Sequence, residues 1–180
     1  MEKESLYHGT RIIHGVNILR EGELLSPLYL RMRELEQKID LQKLQSLGKS
    51  LKEYALDLIY EQFIKGMDSY EPESVSLTTE FEKAKGYALQ YYNGPGMVFE
   101  LVTDNLKLNH ERGNVYVYEK ITLDERLKQI HLWDRKKAHS FSEEDIKKWG
   151  DPDIIVTELI PLFDKYKCKF FYNDIELHIN

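Results

Sequence analysis

Apolar positions follow two rhythms along this chain, and the change from one to the other comes near Pro72. A short apolar stretch, Ser5-Leu6-Tyr7-His8, runs into Gly9-Thr10 and reads as a strand entering a turn. Ile12, Ile13, Val16, Ile18 and Leu19 follow at helical spacing and lead to Gly22, a residue suited to the left-handed position that closes a helix. Ser26-Pro27 then forms an N-cap and first-turn pair. From there to Gly66, Met32, Leu35, Ile39, Leu51, Tyr54, Ala55, Leu58 and Phe63 stand among Lys, Glu and Gln at helical spacing. This predicts a pair of amphipathic helices, broken near Gly48.

Beyond Pro72 the runs shorten and become β-like. Strands are expected at 75–78, 97–103, 115–119, 154–158 and 167–172, with 175–179 a weaker candidate. A helix at 80–90 and helical turns at 124–130 and 141–149, the last capped by Ser140 or Ser142, separate them. The pattern predicts an α+β fold with helices inserted in a mainly antiparallel sheet. Because 10 glycines and 5 prolines form no linker-like stretch, residues 1–180 are expected to make one domain, with 27–66 as a helical segment of it.

Composition narrows the functional classes. Against 25 basic residues stand 31 acidic ones, a net charge of −6, which disfavours a broad phosphate-tracking surface. Cys168 is the only cysteine, so an internal disulfide and a cysteine-based zinc cluster are excluded, and a reducing compartment, most simply the cytoplasm, is expected. The charged N-terminal MEKES and the lack of a long apolar run predict neither a signal peptide nor a membrane partner. The six histidines are scattered without HExxH spacing, so no metal site is expected, and glycine-rich phosphate loops are missing. Arg135-Lys136-Lys137 with His139 reads as a solvated run, Trp133 and Trp149 as packing residues, and Cys168 as an inward strand residue.

Two short segments carry candidate chemistry. A histidine at a strand end followed by glycine, as in Tyr7-His8-Gly9-Thr10, lets a ligand touch both an imidazole and an exposed backbone amide. The ordinary alternative is a surface turn with a histidine in it. In Val75-Ser76-Leu77-Thr78-Thr79, Ser76 precedes Tyr87 by eleven positions. Taken alone, that is a strand, a Thr79 N-cap and a core tyrosine.

Taken in order, the strand ending Tyr-His-Gly-Thr, the helix closing at Gly22, the Ser-x-Thr strand and the helix ending Ala84-Lys85-Gly86-Tyr87-Ala88 resemble the NAD-using ADP-ribosyltransferase superfamily. The likeness is closest to its diphtheria-toxin and poly(ADP-ribose) polymerase branch and covers roughly residues 5–25 and 74–130, leaving 27–66 as an insertion. It implies a split antiparallel sheet with NAD, as a substrate, in the cleft. In that likeness His8 bonds the ribose hydroxyls, Gly9 offers backbone groups to the nicotinamide carboxamide, Thr10 supports the adenosine side, and Tyr87 stacks on the nicotinamide ring. Ser76 stands where the polymerase branch has a second tyrosine, so either Ser76 or Thr78 lines the site.

The superfamily's late catalytic glutamate has two counterparts here. Asp153-Ile154-Ile155-Val156 has the expected shape with Asp for Glu, and Asp153 is the favoured carboxylate. Asn114-Val115-Tyr116-Val117 has the same shape with Asn in that place, which would leave Glu111 or Glu119 to serve. The chemistry asks for an acid, because breaking the bond from ribose to nicotinamide builds oxocarbenium-like charge. The resemblance therefore implies mono-ADP-ribosyl transfer to a macromolecular acceptor, protein or nucleic acid, with nicotinamide released. Its alternatives are a binding module of the same fold without activity, and an NAD-dependent RNA 2′-phosphotransferase. The latter needs arginines and a second histidine for the RNA phosphate, and 74–78 holds none.

Overall fold

In the computed structural model, which describes residues 5–38, 44, 46, 48–63, 71–91, 96–111, 113–133, 161–162 and 165–177, the chain is a mixture of helices and three small sheets. The first strand, β1 (Ser5–Arg11), runs straight into α1 (Ile12–Glu21). This helix ends as its sequence requires: Gly22 takes φ 75°, and its N–H reaches the carbonyl of Ile18. After the two-residue β2 (Glu23–Leu24), Ser26 caps α2 (Pro27–Glu36) by accepting from the Tyr29 N–H at 3.3 Å. Gly48, at φ 66°, precedes α3 (Leu51–Phe63), whose start is a reciprocal capping box between Ser50 and Glu53. Leu28 and Leu35 of α2 bury themselves against Ala55 and Ile59 of α3, so the two helices share a small core of their own, but α2 ends at Glu36, well before the expected break near Gly48.

The remaining elements build the sheets. They are β3 (Val75–Leu77), α4 (Phe81–Gly86) with a π-helical turn at Tyr87–Tyr91, β4 (Gly96–Val102), β5 (Asn109–Glu111), β6 (Asn114–Val117), β7 (Ile121–Thr122), β8 (Leu127–Trp133), β9 (Lys169–Tyr172) and β10 (Ile175–Leu177). Five strands lie in the order β1-β4-β8-β9-β10, three in the order β3-β6-β5, and β2 pairs with β7. Every pairing is antiparallel except β8 with β9. Nearly all of β4 is buried, because α1 packs against it on one side and α4 with its π turn on the other. The main core joins α1 to both larger sheets through Leu6, Ile12, Leu19, Leu77, Phe99 and Val115.

The expected helical turn at 124–130 holds only at its start: the Leu123 carbonyl accepts from the N–H groups of Arg126 and Leu127, and 127–130 is already part of β8. Its apolar spacing misleads because of a β-bulge: Glu100 faces Gln129 but Leu101 faces Leu127, so Lys128 is an extra residue in the ladder. Leu127 and Ile130, three apart, therefore share the buried face, which imitates helical periodicity. Trp133 is buried and Cys168 is half-buried against the core, its thiol pushed up to about 11 by that burial. The expected strand at 154–158, the helical turn at 141–149, the basic run at 135–139, Trp149 and Asp153 lie outside the described residues.

Candidate functional site

The two larger sheets meet at β1, and a single rung joins them. Tyr7 donates its N–H to the Thr78 carbonyl at 2.8 Å and accepts from the Thr78 N–H at 3.0 Å. In an antiparallel ladder successive residues turn their N–H and C=O to opposite sides, so His8 faces β4, where Phe99 is its partner, and Gly9 faces β3 again. A second rung would pair Gly9 with Ser76, but the bridge is isolated and the sheets part there. The Ser76 carbonyl is taken instead by the His8 ring, whose Nδ1 lies 3.0 Å away. A carbonyl only accepts, so Nδ1 carries the proton and Nε2 of the neutral ring is left as an acceptor. Beside this parting the imidazole keeps an acceptor, Nε2, and Gly9 has no rung to β3, while neither of the two cavities described below is lined by His8, Gly9 or Tyr87.

Packing explains why residue 9 must be glycine in any case. A Cβ there would stand 2.0 Å from the Ala84 carbonyl oxygen, since α4 crosses directly over β1. Gly96 admits Ala88 in the same way, at 2.5 Å from its carbonyl oxygen. Ala84 and Ala88, four apart and both fully buried, form the seam of this helix, and their small size is the sequence signal for it. Tyr87 lies beside that seam, at the first position of the π turn, and is 36% exposed. The segment carrying it is therefore clamped onto β1 at Gly9.

The other expected residues are placed less evenly. Thr10 is buried beside the core, and the Thr78 hydroxyl is buried and accepts from the Glu80 N–H at 3.1 Å, setting the turn into α4. Ser76 is exposed and meets His8 through its carbonyl rather than its hydroxyl. Leu77 pairs with Val115, which puts Asn114 at the end of β6 nearest Thr78, with Glu111 of β5 opposite Asn114. Thr79, His110, Glu111, Gly113 and Asn114 line a cavity of about 280 Å³ there. Glu119 stands past the far end of β6 and lines a different cavity with Glu23 and Lys120. Among the described residues no group of three His, Cys, Asp or Glu side chains is arranged to hold a metal ion.

A second histidine sits on the sheet face that α4 partly covers, and nothing in the sequence pattern singled it out. The His131 ring stacks on Phe171 at 4.5 Å and meets the edge of Phe81 at 4.7 Å. Burial lowers the pKa of His131 against the opposing pull of Glu100 and Asp174, and burial likewise lowers those of His8 and His14. The unfolded chain therefore takes up these protons first, near pH 6.5. Their contribution to stability is complete above that value and is lost as the pH falls toward the lower folded-state values. Urea unfolding is expected to show a falling midpoint from pH 7 to pH 5, and His131→Phe, which keeps the stack, should flatten that slope. Compared with protein-family models, with curated proteins and with solved structures, the chain matches none.

Proposed function

We propose that the chain binds NAD where the sheets part at β1 and transfers ADP-ribose from it to a macromolecular acceptor, releasing nicotinamide. The observation that supports this reading is the isolated Tyr7–Thr78 rung, beside which the His8 ring takes the Ser76 carbonyl and Gly9 is left without a rung to β3. A carboxamide needs both a donor and an acceptor in line, and the N–H and C=O of one extended residue supply both. Nε2 of His8 suits a ribose hydroxyl donor, and Tyr87, on the segment held over Gly9, has the aromatic surface that stacking on a nicotinamide would use.

Calorimetric titration with NAD followed by a nicotinamide-release assay tests the reading, which fails if NAD does not bind. His8→Ala is expected to weaken NAD about 5- to 150-fold, the loss of one hydrogen bond to a ligand at 1–3 kcal/mol, while leaving the fold intact. Tyr87→Ala should cost NAD more affinity than ADP-ribose, since only NAD carries the ring; equal losses would make Tyr87 a packing residue.

A second reading, a module that binds NAD without turning it over, is favoured by Asn114. It occupies the end of β6 nearest Thr78 with an amide in place of an acid. Saturable NAD binding with no nicotinamide released would select it.

A further inference from the structure

The larger cavity, about 480 Å³, lies apart from β1, between α2 and the turn joining β6 to β7. Its volume is within the roughly 300–1,000 Å³ of ligand pockets. One wall is the stripe Tyr29, Met32, Arg33 and Glu36 of α2, and the other is Tyr118-Glu119-Lys120. Both tyrosines are 48% exposed, an unusual investment of aromatic surface at one opening.

The charges around it are unequally satisfied. Glu23 binds both cations of the cavity, Lys120 at 2.6 Å and Arg33 at 3.1 Å, and Arg33 also binds Glu21. Nearby, Lys52 is held by Glu73 at 2.6 Å. Glu36 and Glu119 have no ion-pair partner among the described residues. Glu36 moreover is the last residue of α2, where the helix carbonyls already concentrate negative charge and a cation is the favoured neighbour. The local field is therefore negative, over two exposed aromatic rings and the apolar flank of Met32.

We infer that this cavity binds an arginine side chain presented by a protein partner. Guanidinium is the cation that uses every part of it: a planar, weakly hydrated charge stacks on tyrosine faces, its N–H fork suits carboxylates, and its methylene stem covers Met32. The inference does not depend on NAD binding, because His8, Gly9 and Tyr87 do not line this cavity.

The test is an NMR titration of the labelled protein with the blocked tripeptide acetyl-Gly-Arg-Gly-amide and with its citrulline counterpart, which keeps the shape and removes the charge. The arginine peptide is expected to shift the amides of Tyr29, Glu36, Tyr118 and Lys120 saturably, and the citrulline peptide to bind about tenfold or more weaker. Tyr118→Ala and Glu119→Gln, both at exposed positions, should each weaken the arginine peptide about three- to tenfold without moving the urea midpoint. Equal binding of citrulline, shifts confined to other residues, or no saturable shift would each overturn the inference.

Discussion

Gly9→Ala is expected to destabilise the protein by about 3 kcal/mol or more, the upper range for an overpacked core position. The added methyl would meet the Ala84 carbonyl oxygen at 2.0 Å and its carbon at 2.8 Å. These are backbone atoms, so no rotamer change relieves the clash, and α4 must lift from β1 as a unit. Tyr87 would move with it, so NAD affinity should fall together with stability. Gly86→Ala is the control on the same helix. Nothing lies within 4 Å of its would-be Cβ, and replacing a helical glycine should gain up to about 1 kcal/mol. Urea denaturation of both variants reads the contrast, and a Gly9→Ala midpoint equal to that of the parent would show that α4 does not bear on β1 as described.

What the sequence disclosed depended on whether the deciding interaction was local. Gly22 and Ser26-Pro27 announce helix ends because a left-handed residue and an N-cap act within one turn, and both do so in the structure. Residues 127–130 read as helical because their spacing is set by a bulge against Glu100 and Leu101, a partner distant in the chain. The π turn at Tyr87–Tyr91 is hidden for a similar reason: it follows a helix whose path is imposed by Gly9 and Gly96 on other strands.

The candidate site divides in the same way. His8 and Gly9 were visible as neighbours in a strand, and Tyr87 as a helix position, but the bridge between Tyr7 and Thr78 and the crossing of α4 over Gly9 are encoded by no local pattern. The Ser76 carbonyl, which fixes the His8 tautomer, could not be read at all, since main-chain acceptors leave no mark in sequence.

The carboxylate is the sharpest remaining expectation. Asp153→Asn should leave NAD affinity within a few fold while nicotinamide release falls about 10²-fold or more, the scale of deleting a group that stabilises developing charge. Strand geometry argues against Glu111 in that role. Tyr7, Thr78, Asn114 and Glu111 follow one another across β1, β3, β6 and β5, and at about 4.8 Å per strand Glu111 begins about 14 Å from Tyr7. A glutamate there meets the ribose only if the sugar lies out over β3 and β6 rather than close against His8. Glu119 is further removed, past the opposite end of β6. Glu100 is nearer in the fold, facing Tyr7, but it is buried and held by Lys128 at 2.9 Å and Ser5 at 2.7 Å. Glu111→Gln and Glu119→Gln are accordingly expected to release nicotinamide within a few fold of the parent rate, whereas Asp153→Glu should keep or raise it. Loss of turnover in Glu111→Gln with Asp153→Asn unaffected would transfer the role to β5, and would require the NAD ribose to lie over Asn114 rather than beside His8.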